Sequence, residues 1–281
     1  MEHTQSLEQT PKNRGIQPIE PARRVVLLGA SNLTRGLPTV LQTARTMWRQ
    51  PLEILAAAGH GRSYGQHSSC LMRSLDGITG CGLWDALSRR EPAPAAALLT
   101  DVGNDIIYGV PVPRIVEWVE VCLDRLEAAQ CRVILTLLPT CNIGVVGTRR
   151  FHWLMKALYP GYYLNPRVLT ERVLELDQAL RRMGHARSIP TIEPRREWYG
   201  FDPIHIQGAQ APRVWREILS HWNDGQCAAV DVLDADLPDR SWRHWLHVRT
   251  LAPERRWLCG LEMRRAQPAG RLPDGTSVAL Y

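Results

Sequence analysis

Arg24-Val25-Val26-Leu27-Leu28-Gly29-Ala30-Ser31-Asn32 runs four branched apolar residues into a Gly-Ala-Ser turn. An unbroken apolar run closed by glycine is the pattern of a strand buried on both faces, as in a parallel sheet. Similar runs lie at residues 52–58, 95–100 and 132–138, with a weaker one at 188–192. Between them the apolar period changes to that of helices, at 37–48, 112–129, 168–183 and 207–222. In the second of these, Ile115, Val116, Val119, Cys122, Leu123 and Leu126 share one face. Strand and helix alternating five times predict an α/β fold, a three-layer α/β/α sandwich around a five-stranded parallel sheet. In such sheets, ligand sites form in the loops at the carboxyl ends of the strands.

The rest of the chain departs from this alternation. Residues 1–23 are polar, contain Pro11, Pro18 and Pro21, and lack the apolar core of a secretory signal, so they read as a disordered lead-in. The α/β unit then spans 24–225. Within it, residues 141–165 carry Gly144, Gly147, Pro160 and Gly161 among Phe151, Trp153, Tyr159, Tyr162 and Tyr163. A long aromatic stretch after a strand end is suited to a lid or pocket wall, or to an insertion packed on its own domain. Residues 226–281 form a basic, Trp-rich extension whose end reads as short strands joined by turns.

Composition narrows the function classes. The 281 residues are 44% hydrophobic and 22% charged, which is globular composition, and no run approaches the length of a membrane span. A cytoplasmic location is the default expectation. Seven scattered cysteines without a CxxC pair argue against a disulfide framework or a zinc site, and the nine histidines include no HExxH. The formal charge of +6 is almost all arginine, since Lys12 and Lys156 are the only lysines. Eight arginines oppose four acidic residues from Asp239 to Tyr281. With Trp242, Trp245 and Trp257 interleaved, that segment is either a packed appendage with a solvated face or a polyanion surface. The first reading is preferred, so nucleic acid is not an expected partner. The oligomeric state is not legible.

Four strand-end loops carry polar residues of different kinds. Ser31 follows the first strand at a strand-to-helix turn, where a hydroxyl is exposed beside backbone N–H groups. Ala58-Gly59-His60-Gly61-Arg62-Ser63-Tyr64-Gly65 is glycine-rich, which lets backbone donors approach a ligand. Asp101-Val102-Gly103-Asn104-Asp105 holds an amide able to donate to an oxyanion. Asp202-Pro203-Ile204-His205 places a carboxylate three residues before an imidazole, within reach of its Nδ1–H. Singly, each also reads as ordinary structure: a helix cap, a turn, a cap beside a chance histidine.

In combination and in this order, the four loops resemble the four blocks of the SGNH (GDSL) hydrolase family, over residues 25–222. The resemblance implies a flavodoxin-like α/β/α fold and a serine hydrolase that cleaves acyl esters without metal or organic cofactor. It implies Ser31 as nucleophile, His205 as base and Asp202 as the residue orienting it. The oxyanion hole it implies comprises the N–H of Ser31, a second-block N–H assigned to Gly61, with Gly59 as fallback, and the side chain of Asn104. Substrates would be small-molecule, lipid or sugar esters, and an O-acyltransferase would use the same residues. Three positions depart from the family pattern. Ala30 stands where the first block has aspartate, Ala56 where the second has asparagine, and Val102 where a glycine often precedes the third block's asparagine, so the substrate class does not transfer.

Overall fold

The computed structural model describes residues 23–48, 51–70, 73–146, 165–222 and 242–281. Strand β1 (Arg23–Leu28) is buried from Arg24 onward, and its side chains alternate between two separate cores. Val25 and Leu27 face α1 (Ser31–Trp48), while Val26 and Leu28 point to the opposite side of the sheet. That period-two division explains the unbroken apolar run: each face of the sheet is covered by helices, so neither set can be polar.

Strand β2 (Leu52–Ala57) pairs with β1 in parallel and is followed by a hairpin, β3 (Ser68–Cys70) and β4 (Arg73–Leu75). Helix α2 (Leu83–Ser88) leads to β5 (Ala95–Leu99), which pairs on the other side of β1. After α3 (Asn104–Ile107) and α4 (Val112–Ala128) come β6 (Cys131–Thr136), α5 (Ile143–Val146), α6 (Pro166–Ala186) and β7 (Thr191–Ile192). The parallel order is β2-β1-β5-β6-β7. Chain direction across the sheet therefore reverses between β1 and β5, which opens a crevice at their carboxyl ends. Helix α7 (Ala211–Leu219) packs beside α1.

Two elements differ from their sequence reading. The helix expected from residue 37 starts at Ser31 and continues through Pro38. Pro38 removes one backbone donor, and the Gly36-Leu37-Pro38 sequence looks like a break. Burial of Leu33, Leu37, Val40 and Leu41 against the sheet nonetheless holds the helix together. The sheet also has seven strands rather than five. The extra two come from the C-terminal segment: β10 (Gly270–Arg271) is antiparallel to β11 (Ser277–Leu280), which pairs in parallel with β2. Upstream, α8 (Trp242–Thr250) buries Val248 in the α1 core, and the hairpin β8 (Arg255–Leu258) and β9 (Leu261–Arg264) adds to β4 in a second, antiparallel sheet. Local patterning marks such short strands but cannot say which sheet they join.

The proposed N-terminal lead-in through residue 22, most of the aromatic stretch (residues 147–164) and residues 223–241 lie outside the described residues. Among those described, no helix is long and apolar enough to cross a membrane.

Gly36 shows how closely α1 and α7 approach. A Cβ placed there would lie 2.1 Å from Nε1 of the fully buried Trp215. Gly36→Ala gains helix propensity of about 1 kcal/mol but overpacks the contact at about 1–3 kcal/mol. Net destabilisation in urea unfolding is the expected result, whereas a stabilised variant would show that the two helices have room to separate.

Candidate active site

Ser31 is the first residue of α1, one turn beyond the buried end of β1. The turn is tied down by a residue from the next strand. Asp101, just after β5, accepts the N–H of Ala30 (2.9 Å) and of Leu33 (3.1 Å) on Oδ2. These are backbone donors at the start of a helix, which have no intrahelical acceptor of their own. To reach them Asp101 adopts φ +61°, a left-handed conformation that aspartate tolerates better than most residues. A carboxylate thus serves the turn that Ala30 leaves without one. It comes from another strand.

His205 arrives from the loop ahead of α7. Its Nε2 lies 2.9 Å from Ser31 Oγ, and its Nδ1 lies 2.6 Å from Oδ2 of Asp202. Asp202 also accepts the N–H groups of Ile204 (3.1 Å) and His205 (3.3 Å) on Oδ1, so the turn between the two residues is built around the carboxylate. Burial opposes ionisation of Asp202, but the His205 ring and the two backbone donors outweigh it and hold the carboxyl below its usual range. An ionised Asp202 fixes the proton on Nδ1 and leaves Nε2 as the acceptor facing the serine hydroxyl. Residues 174 positions apart in the chain meet here.

The glycine-rich and asparagine loops are locked together. Asp105 is fully buried; it accepts from the hydroxyl of Ser63 and from the N–H of Tyr64 (2.9 Å). Burial raises its carboxyl to about 6 against the pull of those two donors. The Tyr64 hydroxyl donates to the Thr100 carbonyl (2.8 Å) at the end of β5. Gly61 has φ +65°, which glycine adopts without strain, and its carbonyl accepts from the Tyr108 hydroxyl.

Asn104, the first residue of α3, differs from its neighbours. Its Nδ2 is buried without a hydrogen-bond partner. Such a donor carries a desolvation cost of about 1–3 kcal/mol, so native proteins seldom keep one without a use. Ser31 and Asn104 line the same cleft, with apolar walls from Ile107, Leu138, Ile143, Leu169, Val173 and Trp198. The cleft holds about 960 Å³ of empty space, its open mouth included. It sits at the β1/β5 reversal. Gly61 is not part of its lining. Among the described residues no group of three or more His, Cys, Asp or Glu side chains converges as a metal site would require.

No protein-family model matches the sequence. No functionally curated protein matches it either. Solved structures do align. The psychrotrophic esterase EstA from Pseudoalteromonas sp. aligns with 70% of this chain and 97% of its own, at 13% identity and TM-score 0.46. The acetyl xylan esterase AlAXEase aligns over 70% and 98%, at 12% identity and TM-score 0.47. AlinE4, an SGNH-hydrolase family esterase, aligns over 73% and 98%, at 14% identity and TM-score 0.38. All three are named as esterases, and AlinE4 as a member of the SGNH-hydrolase family.

Ser31, Asp202 and His205 form one hydrogen-bonded chain, whose serine lines the same cleft as Asn104. Two residues that bond the backbone beside them carry no role in the sequence reading. Asp101 and Asn32 hold the serine turn, yet both look like loop residues when read along the chain. The left-handed backbone that lets Asp101 reach across to β1 leaves no sequence signal. In the C-terminal segment, Trp257 packs edge-on against His67 (4.6 Å between centroids) with the Arg255 guanidinium over its ring. Arg255 and Arg264 both bond Glu262. The side chains of Trp242 and Trp245 lie outside the described residues.

Proposed function

We propose that the protein is a serine hydrolase that cleaves carboxylic esters, with Ser31 as nucleophile, His205 as general base and Asp202 as its orienting carboxylate. The observation that carries this reading is the continuous chain from Asp202 Oδ2 through His205 to Ser31 Oγ, at 2.6 and 2.9 Å. These are the separations at which a base takes a proton from a nucleophile.

As Ser31 Oγ attacks the ester carbonyl carbon, its proton passes to His205 Nε2. The negative charge on the former carbonyl oxygen is met by the Ser31 N–H and by the unpaired Nδ2 of Asn104; the Gly61 N–H, the third donor implied by the family resemblance, is given no part because Gly61 does not line this cleft. Collapse of this adduct breaks the bond to the alcohol, whose oxygen takes the proton back from His205. Water then attacks the acyl-serine by the same route in reverse, its proton going first to His205 and then to Ser31 Oγ as the carboxylic acid leaves. Asn104 has no ground-state partner to give up, so its amide is available when charge develops. The apolar wall of the cleft suits an acyl chain.

The test is covalent. A fluorophosphonate ester is expected to add to the protein at the Ser31 peptide, and 4-nitrophenyl esters of increasing chain length to be cleaved in proportion to their fit in the cleft. Labelling at another serine, or no turnover of any ester in the series, would refute the assignment. Adding a primary alcohol and measuring ester product against free acid separates hydrolysis from acyl transfer.

A further inference from the structure

Asn32 stands between the two halves of the site. Its Nδ2 donates to Asp101 Oδ1 (2.8 Å) and to the Ile204 carbonyl (2.9 Å), and its Oδ1 accepts the Ile206 N–H (2.8 Å). One amide therefore bonds the carboxylate that caps the serine turn and the backbone on either side of His205. Other ties also hold the His205 loop, among them the Arg35 guanidinium on α1, 4.0 Å from Asp202 Oδ2. Tyr199 bridges Ile206 at its base, and the buried Asn142 donates to the Pro203 carbonyl (2.8 Å). Neither of these touches the serine turn.

We propose that Asn32 is a positioning residue that sets the His205 ring against Ser31 Oγ. The proposal rests on reading Ser31 and His205 as nucleophile and base. The chemistry explains the residue type. The site needs one donor pointing at both a carboxylate and a carbonyl, and one acceptor pointing at an N–H. Only a primary amide of this length offers both. Aspartate would set two carboxylates against each other and leave the Ile204 carbonyl without its donor. Leucine would satisfy none of the three contacts.

In 4-nitrophenyl butyrate hydrolysis, Asn32→Ala is expected to lower kcat by about 10–100-fold while KM moves by less than about two-fold, because the geometry of proton transfer is lost rather than substrate binding. In a His205→Ala background the same substitution is expected to cost nothing further, since Asn32 acts through that ring. Asn32→Asp is expected to be as damaging as alanine. The double variant Asn32→Asp with Asp101→Asn restores one donor–acceptor pair and should recover part of the loss. Amide exchange gives a readout independent of turnover: the Ile206 N–H is expected to exchange faster in Asn32→Ala with the amides of the central sheet unchanged. Unaltered kcat, an equal cost with and without His205, or unaltered Ile206 exchange would each overturn the proposal. A wild-type protein that cleaves no ester would count against the proposed function, and the exchange measurement would still decide whether Asn32 holds the loop.

Discussion

Ser31→Ala is expected to lower kcat/KM for 4-nitrophenyl esters by about 10⁴–10⁶-fold, the range for removing a nucleophile from a set of groups that act as a unit. The physical ground is that, among the described residues, Ser31 supplies the hydroxyl bonded to the His205 ring, 2.9 Å from Nε2, and that in the proposed reaction Asp202 acts through that ring. Stability should change little. The substitution deletes one hydrogen bond at a half-buried position, worth about 1 kcal/mol, while the turn remains capped by Asp101. Steady-state kinetics and thermal unfolding of the same preparation check both halves. Activity within ten-fold of wild type would mean that another residue attacks the ester. An unfolded variant would mean that the hydroxyl holds the turn rather than serving chemistry.

Asn104→Ala should separate activity from stability in a way few substitutions do. Removing one oxyanion donor costs about 10²–10³ in kcat. The same change deletes a buried Nδ2 that has no partner, and leaving such a group buried costs about 1–3 kcal/mol. The folded state is therefore expected to hold its stability or gain from the substitution, less the small loss of packing where the side chain meets the cleft wall. A site that retains an unsatisfied donor gives up stability for readiness, which is the usual direction of that trade. Urea unfolding midpoints and kcat, measured together, test it. Unchanged kcat would remove Asn104 from the oxyanion role, and a strongly destabilised protein would show that its amide is a structural partner after all.

The third expected effect, at Gly36, is smaller but tests the same frame, because α1 carries Ser31 at one end and packs on Trp215 further along. A helix pushed off α7 would move the serine relative to the His205 loop, which leads into α7.

The layers of the fold were readable along the chain because burial on both faces forces whole strands to be apolar, as Val25 to Leu28 are, and because the long helices bury a stripe with a fixed period. The polar residues of the four loops were readable for a related reason: a strand end is where the chain leaves the core, so a serine, an amide or an Asp-x-x-His there stands out against the apolar run before it. What distance along the chain cannot carry is convergence. Whether His205 meets Ser31, whether Asp101 bends into a left-handed turn to cap another strand's helix, and whether Asn32 bonds the backbone beside the histidine depend on how strands pair and in which register. The last strand makes the same point, since Ser277–Leu280 could pair with any exposed edge and joins β2 only because the folded sheet offers that edge. Local composition sets which residues are buried and which are exposed; only the packed sheet brings residues from distant parts of the chain within a hydrogen bond of one another.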